Sequence, residues 1–222
     1  YIVHVSSAES LKFIREAHKK KQSVYAETCP QYLLLDNSKY TGTFEQTAPF
    51  LISPPLRTSG DNDALWEALT DGTICTIGTD HCPFTMDQKR AGINDFRKIP
   101  GGAGGVEHRL ILLHTHGLLT KRLNINQMVK FFSTEPARIF GLFPRKGVIR
   151  DGSDADLVIW NPKPESVISA GTHHMNSDIN IYEGIPVKGR AEYVIKGGEV
   201  VIEKGMMADS VKSGKYLFRT TA

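Results

Sequence analysis

An aspartate that follows an apolar, β-branched stretch is the residue in this sequence best placed to do chemistry. The stretch runs from Thr73 to Gly78, Asp80 comes two residues later, and Pro83 ends the segment. A helix-like segment at 61–70 precedes it. In α/β barrels, polar residues at the carboxyl ends of the strands form the active site. Asp80 is therefore a candidate metal ligand or general base, and the alternative is a loop aspartate that caps the next turn.

A histidine lies inside the strand-like run that opens the chain. The run is Tyr1–Val5, and His4 is its polar member. A single histidine in a buried strand is usually a core residue. However, an imidazole on one strand and a carboxylate on another together suit a divalent metal ion. We therefore expect His4 and Asp80 to meet at one mouth of a parallel sheet.

The first elements follow the order strand, helix, strand. Ser6 and Glu9 have the spacing of a capping box, and the apolar spacing that follows predicts a helix to about Lys21. Residues 24–28 then predict a second strand. This order is the unit from which parallel sheets are built.

Two segments in the middle of the chain are candidates for lining a site. Residues 50–57 contain two adjacent prolines, which predict an extended segment after the long connection at 31–49. After a polar stretch expected to be a loop (83–98), a glycine-rich run at 99–106 could bring backbone N–H groups close to a ligand. This run does not match the nucleotide-binding motifs, and a flexible loop is its alternative interpretation.

The pattern changes in the last third of the chain. Short β-strands with turn residues replace the strand–helix units, and Gly197–Gly198 predicts a hairpin turn. We predict a domain boundary near Pro144, which divides the chain into 1–143 and 144–222. Residues past Gly205 are expected to form a C-terminal extension.

Composition excludes several classes of protein. The net charge of the 222 residues is only +3, and the basic run at 18–21 ends a predicted helix, so nucleic-acid binding is not expected. The three cysteines form no CxxC pair, no stretch is apolar enough to span a membrane, and no signal peptide is seen. We therefore expect a cytoplasmic protein with reduced thiols.

The chain begins in mid-strand without a methionine, which indicates a fragment, a processed chain or a late start.

Six short motifs together resemble one family. They occur in the order Val3-His4-Val5-Ser6, Glu27-Thr28-Cys29-Pro30-Gln31-Tyr32, Ser53-Pro54-Pro55-Leu56-Arg57, Gly78-Thr79-Asp80-His81-Cys82-Pro83-Phe84, Lys98-Ile99-Pro100-Gly101-Gly102 and Gly152-Ser153-Asp154-Ala155-Asp156-Leu157-Val158. Each motif alone is weak, but the ordered set is specific. The whole chain resembles the hydantoinase/dihydropyrimidinase branch of the amidohydrolase superfamily.

The resemblance implies an α/β fold, a (β/α)8 TIM-type barrel followed by strands of a small β-sandwich domain. It also implies two metal ions per active site, usually Zn2+ with other divalent metals as alternatives, bridged by a carbamylated lysine. His4 matches the histidine of the sixth barrel strand and Asp80 the aspartate of the eighth. The lysine and the other ligands belong to strands absent from this sequence. The chain therefore resembles the C-terminal half of such an enzyme, and we expect it to be inactive alone.

The resemblance further implies a hydrolase that opens hydantoin or dihydropyrimidine rings to N-carbamoyl amino acids, with Asp80 as the catalytic base. Ser53 and Gly101 match residues that hold the cyclic amide substrate through main-chain groups. Asn is common at the second position, so Gly101 either leaves a backbone contact unchanged or alters the substrate range. A homo-oligomer, tetramer or dimer, is also implied. The alternatives are a dihydroorotase or allantoinase, and a non-catalytic dihydropyrimidinase-like scaffold.

Overall fold

The computed structural model describes residues 1–208 and 214–219, which divide into two compact units. Unit 1 contains Tyr1–Leu113 and Val167–Pro186, and unit 2 contains the described part of His114–Ser166 and Val187–Ala222. The predicted division at residue 144 stays a prediction. Part of the predicted C-terminal extension, residues 209–213 and 220–222, lies outside the described residues.

The helices and strands are short. The α-helices are α1 (Ala8–Lys19), α2 (Pro30–Leu34), α3 (Phe44–Thr47), α4 (Ser59–Thr70), α5 (Met86–Arg90), α6 (Arg109–Leu113), α7 (Ile125–Val129) and α8 (Glu135–Ile139). The strands are β1 (Glu27–Thr28), β2 (Thr76–Ile77), β3 (Leu157–Val167), β4 (Pro186–Lys196), β5 (Glu199–Glu203) and β6 (Met206–Met207). Within residues 1–208 and 214–219, no helix has the length and apolar character that crossing a membrane requires.

Unit 1 contains the parallel strand pairing that the sequence predicts. Strands β1 and β2 are parallel neighbours, with Glu27 opposite Thr76 and Thr28 opposite Ile77. Ile2 forms a parallel bridge with Ala26, which places the opening segment on the other side of β1. The connections between these strands contain α1 and α4. The α/β organisation predicted for this part of the chain is confirmed.

The helices α1 and α4 have capping residues that fix where each begins. Ser7, not Ser6, is the N-cap of α1, and its side chain accepts a hydrogen bond from the backbone N–H of Ser10. The Ser6–Glu9 capping box predicted from spacing is therefore wrong by one residue, because Ser6 is buried and lies nearer the strand. Thr58 caps α4 with a reciprocal capping box to Asp61.

The core of unit 1 is built from the apolar faces of these elements. The fully buried side chains include aliphatic residues from α1, α4 and the β2 strand segment: Leu11, Leu65, Leu69, Ile74 and Ile77. Burying an aliphatic side chain of this size contributes about 1.5–3 kcal/mol. This packing holds the strands in register, so that their carboxyl ends have fixed positions.

The polar segment 83–98 is not a continuous loop. It contains α5, whose N-cap Thr85 forms a capping box with Gln88, and a 3-10 turn at Phe96–Lys98. The backbone N–H of Met86 donates to Asp178 Oδ1 at 2.8 Å. The threonine–glutamine spacing is a helix-start pattern that the sequence already contained.

Unit 2 combines helical turns with an antiparallel sheet. Its helical part includes π-helical turns at His114–Leu118 and Lys130–Thr134. Its sheet has the strand order β3-β4-β5-β6, and β4 pairs antiparallel with β5. Gly197 and Gly198 both have positive φ and connect Lys196 to Glu199, which confirms the predicted hairpin.

Candidate active site

The register of the parallel strands brings the ends of the His4 and Asp80 segments to the same edge of the sheet. Ile2 pairs with Ala26, so His4 is level with Thr28, which in turn pairs with Ile77. Asp80 follows Ile77 by three residues. Because parallel strands have their carboxyl ends at one edge, both residues lie there.

Both residues have a left-handed backbone. His4 has φ 40° and Asp80 has φ 47°. Among the described residues, the other non-glycine residues with positive φ are lysines in turns: Lys21, Lys121 and Lys204. A non-glycine residue with this conformation outside a turn is uncommon, although aspartate and histidine adopt it more readily than most residues.

Neighbouring groups hold the chain just before Asp80. Gln31 Nε2 donates to the carbonyl of Thr79 at 3.2 Å, and the Tyr182 hydroxyl donates to Gln31 Oε1 at 3.1 Å. Burial raises the pKa of Tyr32 above its usual range, and the nearby Asp80 carboxylate adds to this effect. The Asp80 carboxylate therefore lies within electrostatic reach of the segment that follows β1.

The glycine-rich segment is bonded to the chain just beyond Asp80. His81 forms a parallel bridge with Ala103, and Cys82 N–H donates to the Ala103 carbonyl at 2.9 Å. The His81 ring accepts hydrogen bonds at Nδ1 from the backbone N–H groups of Gly105 and Val106, at 3.1 and 3.3 Å. These hydrogen bonds hold the segment that carries Gly101 beside the residues that follow Asp80.

The segment that carries Ser53 is held by two tyrosines. The Tyr32 hydroxyl donates to the carbonyl of Pro54 at 2.9 Å, and the Tyr40 hydroxyl accepts from Leu56 N–H at 2.8 Å. Ser53 itself is exposed and directly precedes these two anchored residues. Its main-chain groups are therefore held in place while remaining open to solvent.

A buried lysine that the motifs did not indicate joins the Ser53 and Gly101 segments. Lys89 lies on α5 and is fully buried, and its Nζ donates to the carbonyls of Leu51, Pro100 and Gly102 at 2.8–2.9 Å. Burial lowers the pKa of Lys89 to about 8. The amine is thus mainly an ammonium at neutral pH, with one carbonyl for each of its three donors.

Comparison with known proteins decides the family. The model of the amidohydrolase family matches residues 2–201. This chain belongs to the amidohydrolase family.

Individual members of the amidohydrolase family are similar to this chain throughout its length. The D-hydantoinase of Geobacillus stearothermophilus is 43% identical over 220 residues, which are 99% of this chain and 47% of that protein. The dihydropyrimidinase of Arabidopsis thaliana is 40% identical over 98% of this chain and 41% of its own length. The solved structure of a D-hydantoinase from Bacillus sp. AR9 has a TM-score of 0.97 with 44% identity, covering all of this chain and 48% of that one.

These comparisons confirm the resemblance to hydantoinases and dihydropyrimidinases and imply a TIM-barrel-type α/β fold. The chain spans about half the length of the curated relatives that it matches. The position of the His4 and Asp80 segments at one edge is consistent with that fold, because barrel enzymes carry their active sites at the carboxyl ends of the strands.

The hydantoinases of this amidohydrolase family depend on metal, and the donor chemistry at this edge fits part of a metal site. Imidazole and carboxylate are ligand types for zinc and similar divalent ions. Across residues 1–208 and 214–219, however, no three His, Cys, Asp or Glu side chains are grouped to hold a metal. A zinc ion takes at least three protein ligands. A zinc ion at His4 and Asp80 would therefore need further ligands beyond those that the described residues group there.

Two adjacent glycines of this amidohydrolase chain give a first prediction. We expect Gly102→Ala to lower the free energy of unfolding by about 2–3 kcal/mol, because its Cβ would lie 2.6 Å from the Cys82 carbonyl oxygen. At Gly101 a Cβ would meet no atom within 4 Å. Gly101→Ala is thus the matched control, with an expected change within about 0.5 kcal/mol. Urea titration measures both, and equal losses would contradict the argument.

Proposed function

We propose that the protein containing this chain is a metal-dependent cyclic amide hydrolase. It opens hydantoin or dihydropyrimidine rings to N-carbamoyl amino acids. The observation that carries the proposal is the arrangement around Asp80: a carboxylate with φ 47° beyond a buried strand, with an ordered glycine-rich segment bonded to the residues that follow it. The names of the relatives support this choice of substrate class, since two of them are a D-hydantoinase and a dihydropyrimidinase.

Asp80 is proposed as the group that moves protons. A bound divalent metal would supply Lewis-acid activation of water and of the ring carbonyl. Asp80 accepts the proton that the attacking water loses as its oxygen bonds to the carbonyl carbon. Asp80 then gives this proton to the ring nitrogen as the C–N bond breaks. The product carries a carboxylic acid and a carbamoyl-substituted amine on one open chain. The acid then releases its remaining proton to solvent and becomes a carboxylate, so atoms and charge balance.

Ser53 and Gly101 are proposed to bind the cyclic amide through main-chain groups. Both residues are exposed on segments that are fixed by hydrogen bonds from other residues. A cyclic amide presents alternating N–H and C=O groups, which main-chain donors and acceptors match. Open space beside Gly101 would leave room for a larger ring substituent than an asparagine at this position allows.

The finer features of the assembly are also proposals. We propose two Zn2+ ions bridged by a carbamylated lysine from outside this sequence, with His4 and Asp80 among the ligands. The fold is proposed to be the C-terminal part of a (β/α)8 barrel at 1–143, followed by β-sandwich strands and an extension at 144–222. A cytoplasmic homo-oligomer, tetramer or dimer, completes the proposal.

The experiment that tests the function compares four substrates. The longest natural form of the protein is assayed with hydantoin, dihydrouracil, dihydroorotate and allantoin, and its metal content is measured. The proposal expects ring opening of hydantoin or dihydrouracil. Turnover of dihydroorotate or allantoin alone would replace it with the corresponding hydrolase, and absence of both metal and turnover would indicate a non-catalytic scaffold.

The 222 residues alone are expected to show no turnover. Asp80 and His4 provide an incomplete ligand set, and Tyr1, Ile2 and Val3 are 43–46% exposed along the opening strand segment. An assay of the isolated chain with added Zn2+ checks this prediction. Ring opening by the purified chain, above a blank of Zn2+ alone, would contradict it.

A further inference from the structure

We propose that Lys89 is a positioning residue for substrate: its ammonium holds the Ser53 and Gly101 segments in one fixed arrangement. The inference rests on the proposed function, since it assigns Lys89 to the geometry of the substrate site. Lys89 contacts neither His4 nor Asp80 in any described hydrogen bond. Its effect on catalysis passes through the two segments it joins.

The contacts of Lys89 link two segments of main chain that are distant in sequence. Its acceptors are the carbonyls of Leu51, two residues before Ser53, and of Pro100 and Gly102, on either side of Gly101. Gly102 N–H also donates to the Leu51 carbonyl at 3.0 Å. The Lys89 ammonium thus adds hydrogen bonds to both segments at the point where they are already hydrogen-bonded to each other.

Because Lys89 is buried, the contact between the two segments depends on its ammonium group. A buried charge is costly unless hydrogen bonds replace its lost hydration, and here each of the three donors has a main-chain acceptor. The Phe84 ring lies 5.5 Å from Nζ and provides a further favourable contact. An apolar side chain of similar length would leave the carbonyls of Pro100 and Gly102 without this donor. Both segments would then lose a shared anchor.

The helix that carries Lys89 is itself fixed. The Thr85–Gln88 capping box closes the start of α5, and Asp178 accepts from the N–H of Met86. Lys89 therefore projects from an anchored helix, and the position of its ammonium can determine the positions of the segments.

The test compares three variants of the longest natural form of the protein. Lys89→Met removes the charge and the donors with little change in volume. Lys89→Arg keeps the charge and N–H donors but places them in a planar fork. Lys98→Met is the matched control, since the side chain of Lys98 is 71% exposed near the same glycine-rich segment.

Kinetics, hydrogen–deuterium exchange and metal content are measured on each variant. For Lys89→Met we expect KM for the cyclic amide to rise at least tenfold and kcat/KM to fall by about 100-fold, because small misplacements of bound substrate have effects of that size. Hydrogen–deuterium exchange is expected to rise at least tenfold in both segments, 50–56 and 99–105. Metal content is expected to stay at the native level. Lys89→Arg is expected to give an intermediate KM, and Lys98→Met native values.

The outcomes separate positioning from simple stabilisation. A purely structural role lowers kcat in proportion to the folded fraction and leaves KM unchanged, and that result would overturn the proposal. Faster exchange in only one of the two segments would overturn it as well. If Lys89→Met does not fold, the KM of Lys89→Arg decides: a native value overturns the proposal and a raised value supports it. If the native protein opens no cyclic amide, the proposed function fails, whereas the exchange data still decide whether Lys89 joins the segments.

Discussion

Replacing Asp80 by asparagine is expected to lower kcat by at least about 10³-fold while leaving the fold intact. Asparagine has the shape of aspartate but cannot accept the proton that the attacking water loses. It also tolerates the left-handed backbone that this position requires, with φ 47°. The loss can therefore be assigned to chemistry and not to a change in the main chain. The rate of ring opening, the circular dichroism spectrum and the metal content are the measurements.

The matched control for this variant is Asp87→Asn. The Asp87 side chain is 89% exposed on α5 and pairs with Arg90 at the surface. Exposed pairs of this kind contribute at most about 1 kcal/mol, so native kinetics are expected. If Asp80→Asn retained more than about a tenth of the native kcat, Asp80 would not be the catalytic base.

The Asp80 and His4 segments could be predicted from the sequence because each combines an apolar strand pattern with a residue type that can bind metal. An apolar, β-branched run predicts a buried strand, and a polar residue at its carboxyl end marks the edge where barrels carry their sites. The β1–β2 pairing and the Ile2–Ala26 bridge agree with that prediction. The left-handed backbone of both residues was not predictable, because it depends on the groups that surround the strand ends.

Lys89 shows what the sequence could not reveal. It lies in a polar stretch, Asp87–Arg90, whose composition predicts a solvated surface. Its burial results from three carbonyls that come from segments distant in sequence, and lysine is almost never fully buried without such partners. The capping-box spacing from Thr85 to Gln88 could have predicted α5. It could not have predicted which face of that helix is buried.

The start of α1 shows a smaller limit of prediction from sequence. Ser6 and Ser7 are adjacent and both suit the N-cap position, so spacing alone favoured the capping box with Glu9. In the structure Ser7 is the cap, and Arg57 Nε donates to the Ser6 hydroxyl at 3.5 Å instead. A tertiary contact thus decides between two residues that local propensity does not distinguish.

Replacing His4 by asparagine is expected to weaken metal binding by at least about 100-fold. Loss of residues that merely orient metal ligands already costs 10–100-fold in affinity, and loss of a ligand should cost more. Asparagine removes the imidazole while tolerating the left-handed backbone, with φ 40°. Titration of the metal-free protein with Zn2+, followed by calorimetry, measures the affinity independently of turnover.

The control for this variant is His174→Asn. The His174 side chain is 87% exposed and pairs with Glu107 at 2.8 Å, and it follows no strand of the parallel sheet. We expect His174→Asn to bind Zn2+ with native affinity. This result would show that loss of a histidine is not in itself enough to weaken metal binding. If His4→Asn bound Zn2+ as tightly as the native protein, His4 would be a core histidine and not a ligand. Asp80 would then bind the metal together with residues of strands other than the opening one. The position of His4 at the carboxyl edge would need a different explanation.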